Sequence, residues 1–272
     1  MAKLPPTEQS GKYEELHQMS VAQLINAMNN VDAEALDAVK KCLGQVQLFV
    51  EQLIPRMKNG GRLFYVGAGT SGRLGVVDAS ECPPTFGVDH GKVVGLIAGG
   101  DSAIRKAVEG AEDSETQGWD DLVSHNISKI DTVVGIAASG RTPYVVGALQ
   151  RAREKGILTG CVTCNPGTAI SENSDFPMEA ITGPEFVTGS TRLKAGTATK
   201  LILNMITTIT MIQLGHVKGN RMVDMQLSND KLVERGIRMV SEATGVSADK
   251  AEELLLEHGS VRNAVKAFIG KE

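Results

Sequence analysis

From Arg62 to Thr163 the chain alternates short apolar runs with helical segments, and no other feature restricts its fold as much. The runs are Leu63 to Val66, Val93 to Ala98, Thr132 to Ala137 and Leu158 to Thr163. Short apolar runs separated by amphipathic stretches form a parallel sheet buried between helices. Between and after them, helices are expected over Ser71 to Ala79, Ala103 to Val108, Gln117 to His125 and Thr142 to Lys155. A long apolar helix from about Thr191 to Leu214 should pack across the sheet or against a second subunit. Ahead of the sheet, Ser20 is placed to cap a short helix through Met28. Asp32 is placed to cap a longer one, with Leu36, Val39, Leu43, Val46 and Val50 at helical spacing and a kink at Pro55. Beyond Gly219, three helices (Leu227 to Ala243, Ala248 to His258, Val261 to Phe268) are separated by Gly245 and Gly259. The expected divisions are a helical segment over 1–55, the α/β domain over 56–219 and a small helical module over 220–272.

Charge and composition narrow the function classes. With 28 basic against 32 acidic residues and 4% aromatics, the chain has neither the basic field nor the stacking surfaces of a nucleic-acid binder. The stretch from Leu201 to Gly215 is interrupted by Asn204, Gln213 and three threonines, and the polar start has no apolar leader, so no membrane span is expected. Four cysteines without framework spacing point to reduced thiols and a cytoplasmic setting. Cys161 and Cys164 have the spacing of a metal or redox pair but close an apolar run with no second pair nearby, and the five histidines show no ligand spacing. No metal and no cofactor is expected.

Glycine clusters mark the candidate site. The first run leads into Gly67-Ala68-Gly69-Thr70-Ser71-Gly72-Arg73, formally G-x-G-x-x-G. A dinucleotide site would want an acidic residue about 20 residues on, and a triphosphate loop would want Lys-Ser/Thr after Gly72; Arg73-Leu74 stands there instead. Thr70 and Ser71 put two hydroxyls between the glycines, and Ala138-Ser139-Gly140-Arg141-Thr142-Pro143 repeats the design after the third run. Helix-start amides together with hydroxyls suit a compact phosphate monoester without metal. Thr142 before Pro143 is also a good helix start. A third cluster, Thr188-Gly189-Ser190-Thr191-Arg192-Leu193-Lys194, opens the long helix with more hydroxyls and a cation.

The run from Gly67 to Gly75, followed by Asp78-Ala-Ser-Glu-Cys-Pro-Pro-Thr-Phe-Gly87, resembles the signature of N-acetylmuramic acid 6-phosphate etherases, members of the sugar-isomerase (SIS) group of phosphosugar-binding domains. The likeness continues through Leu96 to Gly100, Ala107 to Asp113, Ala138 to Pro143 and Gly189 to Gly196, and so covers most of the chain. It implies a three-layer SIS-type α/β domain with a central parallel sheet, N-terminal helices and a C-terminal (UBA-like) helical module. It also implies a cytoplasmic homodimer that uses water to remove D-lactate from N-acetylmuramic acid 6-phosphate, leaving N-acetylglucosamine 6-phosphate. The family's catalytic glutamates fall on Glu81 and Glu112.

The scissile bond is an alkyl ether at C3, with no carbonyl for a nucleophile to attack. In the ring-opened sugar the C1 aldehyde acidifies the C2 hydrogen, so lactate can leave from C3 by β-elimination and water can add back. One base and one acid suffice. Following the family, Glu81 is expected to protonate the leaving lactyl oxygen and Glu112 to take the C2 proton. By the same resemblance Ser139 and Thr142 hold the phosphate, while Thr70, Ser71, Ser190 and Thr191 line the sugar. Lys194 is expected to offset phosphate or carboxylate charge, with Arg73 and Arg141 as alternatives for the lactyl carboxylate and Glu185 as a candidate for sugar hydroxyls. A phosphosugar isomerase of the same domain type and a non-catalytic phosphosugar sensor are the competing readings.

Overall fold

The computed structural model describes residues 4–270. Its elements in chain order are α1 (Val21–Asp32), α2 (Glu34–Lys58), β1 (Leu63–Gly67), α3 (Gly69–Phe86), β2 (Val93–Ile97), α4 (Ser102–Arg105), α5 (Gln117–Ser124), β3 (Thr132–Ile136), α6 (Pro143–Glu154), β4 (Leu158–Thr163), α7 (Ala169–Glu172), β5 (Phe176–Glu179), α8 (Lys194–Gln213), β6 (Val217–Lys218), β7 (Arg221–Met222), α9 (Asp230–Thr244), α10 (Ala248–His258) and α11 (Val261–Ile269). Ser20 does cap α1, in a reciprocal capping box with Gln23. Asp32 does not cap α2. Ala33 is itself helical (φ −59°, ψ −28°), so the two helices nearly join and Asp32 closes the first. Pro55 sits inside α2, which runs on to Lys58.

Five parallel strands form the central sheet in the order β2-β1-β3-β4-β5. The four apolar runs are all present, and β5 adds an edge strand. Helices cover both faces, giving the expected three layers. On one face α2, α3 and α8 bury Phe49, Leu53, Cys82, Ile202 and Ile206 against Tyr65, Ile136 and Val162. On the other, α5 and α6 bury Leu122, Tyr144, Val145 and Leu149 against Phe64, Val66 and Val133.

The C-terminal helices form a third cluster around Val240, Leu254 and Leu255. Asp224 ties this module to the domain, accepting from Arg262 Nε at 2.6 Å and pairing with His216 Nδ1 at 2.9 Å, while Gln226 N–H donates to the Pro84 carbonyl at the end of α3. Burial pushes the Asp224 carboxyl up, but the bonds from Arg262 and His216 outweigh it and hold the group below its ordinary value. Among the described helices, α8 is long and apolar enough to cross a membrane by length and composition. It packs against α2 and α3 inside the first core, and half of its apolar window is buried.

Candidate active site

The connections after β1 and β3 leave toward opposite edges of the sheet, so the carboxyl ends of these neighbouring strands bound the crevice where open α/β sheets place ligands. Each strand runs into one of the hydroxyl-rich glycine turns. In the first, a Cβ on Gly72 would lie 2.7 Å from the Gly67 carbonyl oxygen and 2.6 Å from Ile97 Cγ1, so only glycine lets α3 start this close to the strand. In the second, Gly140 has φ +71° and a Cβ there would lie 2.3 Å from Thr168 Cβ.

Helix ends at these turns are left open. The N-caps of α3 and α6 are Ala68 and Thr142, and neither makes a side-chain cap bond, although Thr142 has the chemistry of a cap. By contrast Ser20, Asn229, Ser247 and Ser260 cap α1, α9, α10 and α11. The start of α3 therefore presents free amides, and α6, which opens with Pro143, the Tyr144 amide; both bring a positive dipole end to the crevice, an arrangement suited to phosphate. Thr70, Ser71, Ser139 and Thr142 are all partly exposed there. The Ser139 hydroxyl accepts only a long bond from Arg141 N–H at 3.3 Å.

The third cluster is built differently. The long helix begins at Lys194, and its first amides are already filled: Lys194 and Ala195 N–H donate to the two oxygens of Glu185 at 3.1 and 3.0 Å. Glu185 is fully buried, and burial raises its pKa despite these backbone bonds. It caps α8 and is not open to a sugar hydroxyl. Lys194 also departs from expectation. Its side chain is 1% exposed and its ammonium donates to Glu34 Oε2 at 2.6 Å, so its charge is already paired inside the fold. Ser190 and Thr191 remain partly exposed. The three turns meet at the start of α8: a Cβ on Gly196 would be 3.7 Å from Thr70 Cγ2, and Ala195 packs with Ala138 and Cys164.

Of the two arginines considered for a carboxylate, Arg73 is spent on backbone, donating to the carbonyls of Ile104 at 2.7 Å and Ala103 at 2.8 Å. Arg141 is exposed and lines a cavity of about 470 Å³ with Ser139, Thr168 and Gln9. Glu112 stands in a 3-10 turn, Ala111–Asp113, entered through a left-handed Gly110. It is exposed and lines a second cavity, of about 330 Å³, with Ala68, Gly69 and Arg73.

Glu81 lies elsewhere. The helix expected to stop at Ala79 continues through Pro83 and Pro84 to Phe86, so Glu81 is a helical residue, exposed, one turn beyond exposed Val77. Twelve residues separate it from Gly69, which at about 1.5 Å per residue is about 18 Å along α3. One chain does not bring the two glutamates together.

The sequence singled out neither of two polar groups here, and gave a third, Glu185, a different role. Asp78, buried one turn before Glu81, accepts from Tyr65 Oη at 2.9 Å and Thr207 Oγ1 at 3.2 Å, and burial raises its pKa. Asn165 donates to the Ala138 carbonyl behind the second turn at 3.1 Å; its only local signal is a Cys-Asn-Pro-Gly stretch closing β4. Glu185 caps a helix that starts nine residues later, beyond the reach of a local capping pattern.

Comparison with known proteins places this geometry in a family. The glucokinase regulatory protein N-terminal SIS domain matches residues 45–153, the SIS domain residues 106–209, and the C-terminal lid domain of glucokinase regulatory protein residues 219–265. An N-acetylmuramic acid 6-phosphate etherase of Christiangramia forsetii is 58% identical over 97% of both chains. One of Bacteroides fragilis is 57% identical over 96% of this chain and 93% of the relative, and one of Salmonella agona 54% identical over 89% and 81%. Among solved structures, a phosphoheptose isomerase from Francisella tularensis superposes with a TM-score of 0.54 at 16% identity, covering 71% of this chain and 98% of that one. An E. coli protein in complex with A5P gives 0.53 at 15%, covering 74% and 97%. These structural likenesses show the fold alone.

Proposed function

The chain belongs to the N-acetylmuramic acid 6-phosphate etherases, carbon–oxygen lyases of amino-sugar catabolism, and from that membership we propose how its residues do the work. Ser139, Thr142 and the open end of α6 hold the 6-phosphate. Thr70, Ser71, Ser190 and Thr191 line the sugar, and Arg141 is the cation free to meet the lactyl carboxylate. With C1 open to the aldehyde, Glu112 takes the proton from C2. The C3–O bond then breaks with its electron pair on the lactyl oxygen, which Glu81 protonates. Water adds at C3 of the resulting unsaturated aldehyde and a proton returns to C2, so the sum is ether plus water to alcohol plus D-lactate.

The observation that carries this reading is the pair of uncapped helix ends, flanked by free hydroxyls, at the crevice between β1 and β3. Glu112 lines the cavity beside the first of those two helix ends, with Ala68 and Gly69, which supports its role as the base.

Glu81 reaches it from a second copy of the chain. α3 and α8 run side by side in the same sense, Thr70 near Gly196 and Asp78 near Thr207. Beside them Val77, Leu36, Leu43, Ile209 and Ile212 are exposed. A two-fold axis through this apolar face, near the middle of α3, lays the partner's α3 antiparallel and brings the partner's Glu81 toward this chain's Gly69. The enzyme is thus read as a homodimer with two shared sites, and its four buried, unpaired thiols fit a cytoplasmic setting.

Turnover in heavy water and in oxygen-labelled water tests the chemistry. Solvent deuterium at C2 and labelled oxygen at C3 of the product are expected, together with free lactate. Labelled oxygen in the lactate, or no deuterium at C2, would mean direct displacement.

A further inference from the structure

We infer that residues 4–9 are part of the phosphate site, and that Asn165 is a positioning residue which clasps them to the Ser139 turn. The inference rests on the reading of that turn as the phosphate holder. It starts from Thr7, the one buried residue in the 3-10 turn Pro6–Glu8. A hydroxyl and an amide taken out of water need partners. Both find them 158 residues away: Thr7 N–H donates to Asn165 Oδ1 at 3.1 Å, and Asn165 Nδ2 donates to Thr7 Oγ1 at 2.8 Å.

The same Nδ2 donates to the Ala138 carbonyl at 3.1 Å, with the Ser139 carbonyl at 3.5 Å. Asn165 is 2% exposed and Thr7 fully buried. One amide thus joins the N-terminal strap to the backbone that leads into Ser139.

The strap then follows the mouth of the site. Pro5, Pro6 and Gln9 form one wall of the cavity whose other wall carries Ser139 and Arg141. Glu8 Oε2 lies 3.3 Å from where a Cβ on Gly189 would be, at the third turn. Beyond it, Lys12 pairs with Glu34, the carboxylate that also holds Lys194 at the start of α8. The strap therefore contacts the second and third turns, and its fixed position depends on Thr7 because its neighbours are exposed or half-exposed. With the clasp made, the backbone that carries the Ser139 side chain is held before phosphate arrives; without it, the ordering has to be supplied by the ligand.

The test uses the full-length protein, with inorganic phosphate as a competitive inhibitor of lactate release. Thr7→Val keeps the backbone N–H and removes the hydroxyl. It should raise both the phosphate Ki and the KM by about tenfold, the loss of one well-made buried hydrogen bond, while kcat stays within about twofold. Thr7→Ser should restore wild-type values, and Asn165→Ala should match or exceed the valine variant. A Thr7→Val enzyme with unchanged Ki, or one that loses kcat with Ki intact, overturns the inference. Ser139→Ala separates the two levels. If it leaves Ki unchanged, the phosphate reading fails and the clasp's role with it; if it weakens phosphate while Thr7→Val is silent, only the clasp fails. Should Asn165→Ala not fold, the Thr7 pair decides alone.

Discussion

Mixing two inactive variants should regenerate an active enzyme. Glu81 lies about 18 Å along α3 from the crevice at a rise of about 1.5 Å per residue. A glutamate side chain, four bonds of about 1.5 Å each, reaches only about 5 Å. More than 10 Å would remain to be bridged in one chain, roughly the length of the sugar phosphate itself, so the two carboxyls are expected to meet across a two-fold. Glu81→Ala and Glu112→Ala homodimers should each lose about 10²-fold or more in kcat, as removal of a general acid or base does. In a mixed dimer one site combines the intact Glu112 of one protomer with the intact Glu81 of its partner, and the other site has neither. Random reassociation makes about half of the dimers mixed, each with one working site of two, so lactate release should recover to about a quarter of wild type per protomer. Co-expression with two affinity tags isolates the mixed dimer, which should show about half. Activity no greater than the sum of the parents, or a protein that sediments as a monomer while fully active, would refute the shared site.

Three further outcomes follow from the same geometry. Asp131, 1% exposed, accepts from Arg62 N, Nε and Nη2 and from Ser128 N and Oγ, all within 3.2 Å, so Asp131→Asn should cost about 3 kcal/mol at pH 7 in urea unfolding. Burial pushes its pKa up, but these bonds outweigh burial and hold it below the ordinary 3.8. A folded pKa below the unfolded one gives stability that is present above the unfolded value and lost as pH falls through the folded value, so the gap between wild type and Asn variant should close on acidification. A gap that persists below pH of about 2 would contradict this assignment. Gly140→Ala places a Cβ 2.3 Å from Thr168 Cβ at φ +71° and should cost about 2 kcal/mol or more with a raised KM; an unchanged melting temperature and KM would show the turn to be pliable. Burial pushes the thiols of Cys42 and Cys161 up to about 11 and those of Cys82 and Cys164 up to about 12. A disulfide reagent at pH 8 should therefore find none of the four in the native enzyme and all of them after denaturation, without affecting activity in the native state; inactivation through Cys82 would bring a thiol into the chemistry next to Glu81.

What the sequence shows and what it hides divide along physical lines. The four runs that become β1 to β4 are legible because helices cover the sheet on both faces and keep these strands largely apolar, whereas β5, a four-residue edge strand containing Pro177, carries no such run. The hydroxyls of the two turns proposed to hold the substrate are legible because glycine, hydroxyl and helix start must be adjacent in the chain to form such a turn. Nothing comparable announces Glu185 or Lys194. In the sequence, a carboxylate nine residues ahead of a helix reads as a candidate for sugar hydroxyls, and a lysine in a hydroxyl-rich cluster as a counter-charge for phosphate or carboxylate; the bonds that make the one a cap and bury the other run to residues 9 and 160 positions away.

Thr7 and Asn165 are the limiting case, since neither residue type is unusual where it stands and only their 158-residue pairing gives either a role. Periodicity reports which face of an element is buried, while polar partners are chosen by the finished fold. Glu81 goes one step further. Its motif is the most distinctive stretch of the chain, yet in the proposed dimer its partner carboxyl is assigned by an axis that lies outside any single copy. A motif can therefore point to a reacting group and still leave open which molecule it would react in, and the mixed-dimer experiment is informative because it addresses that question alone.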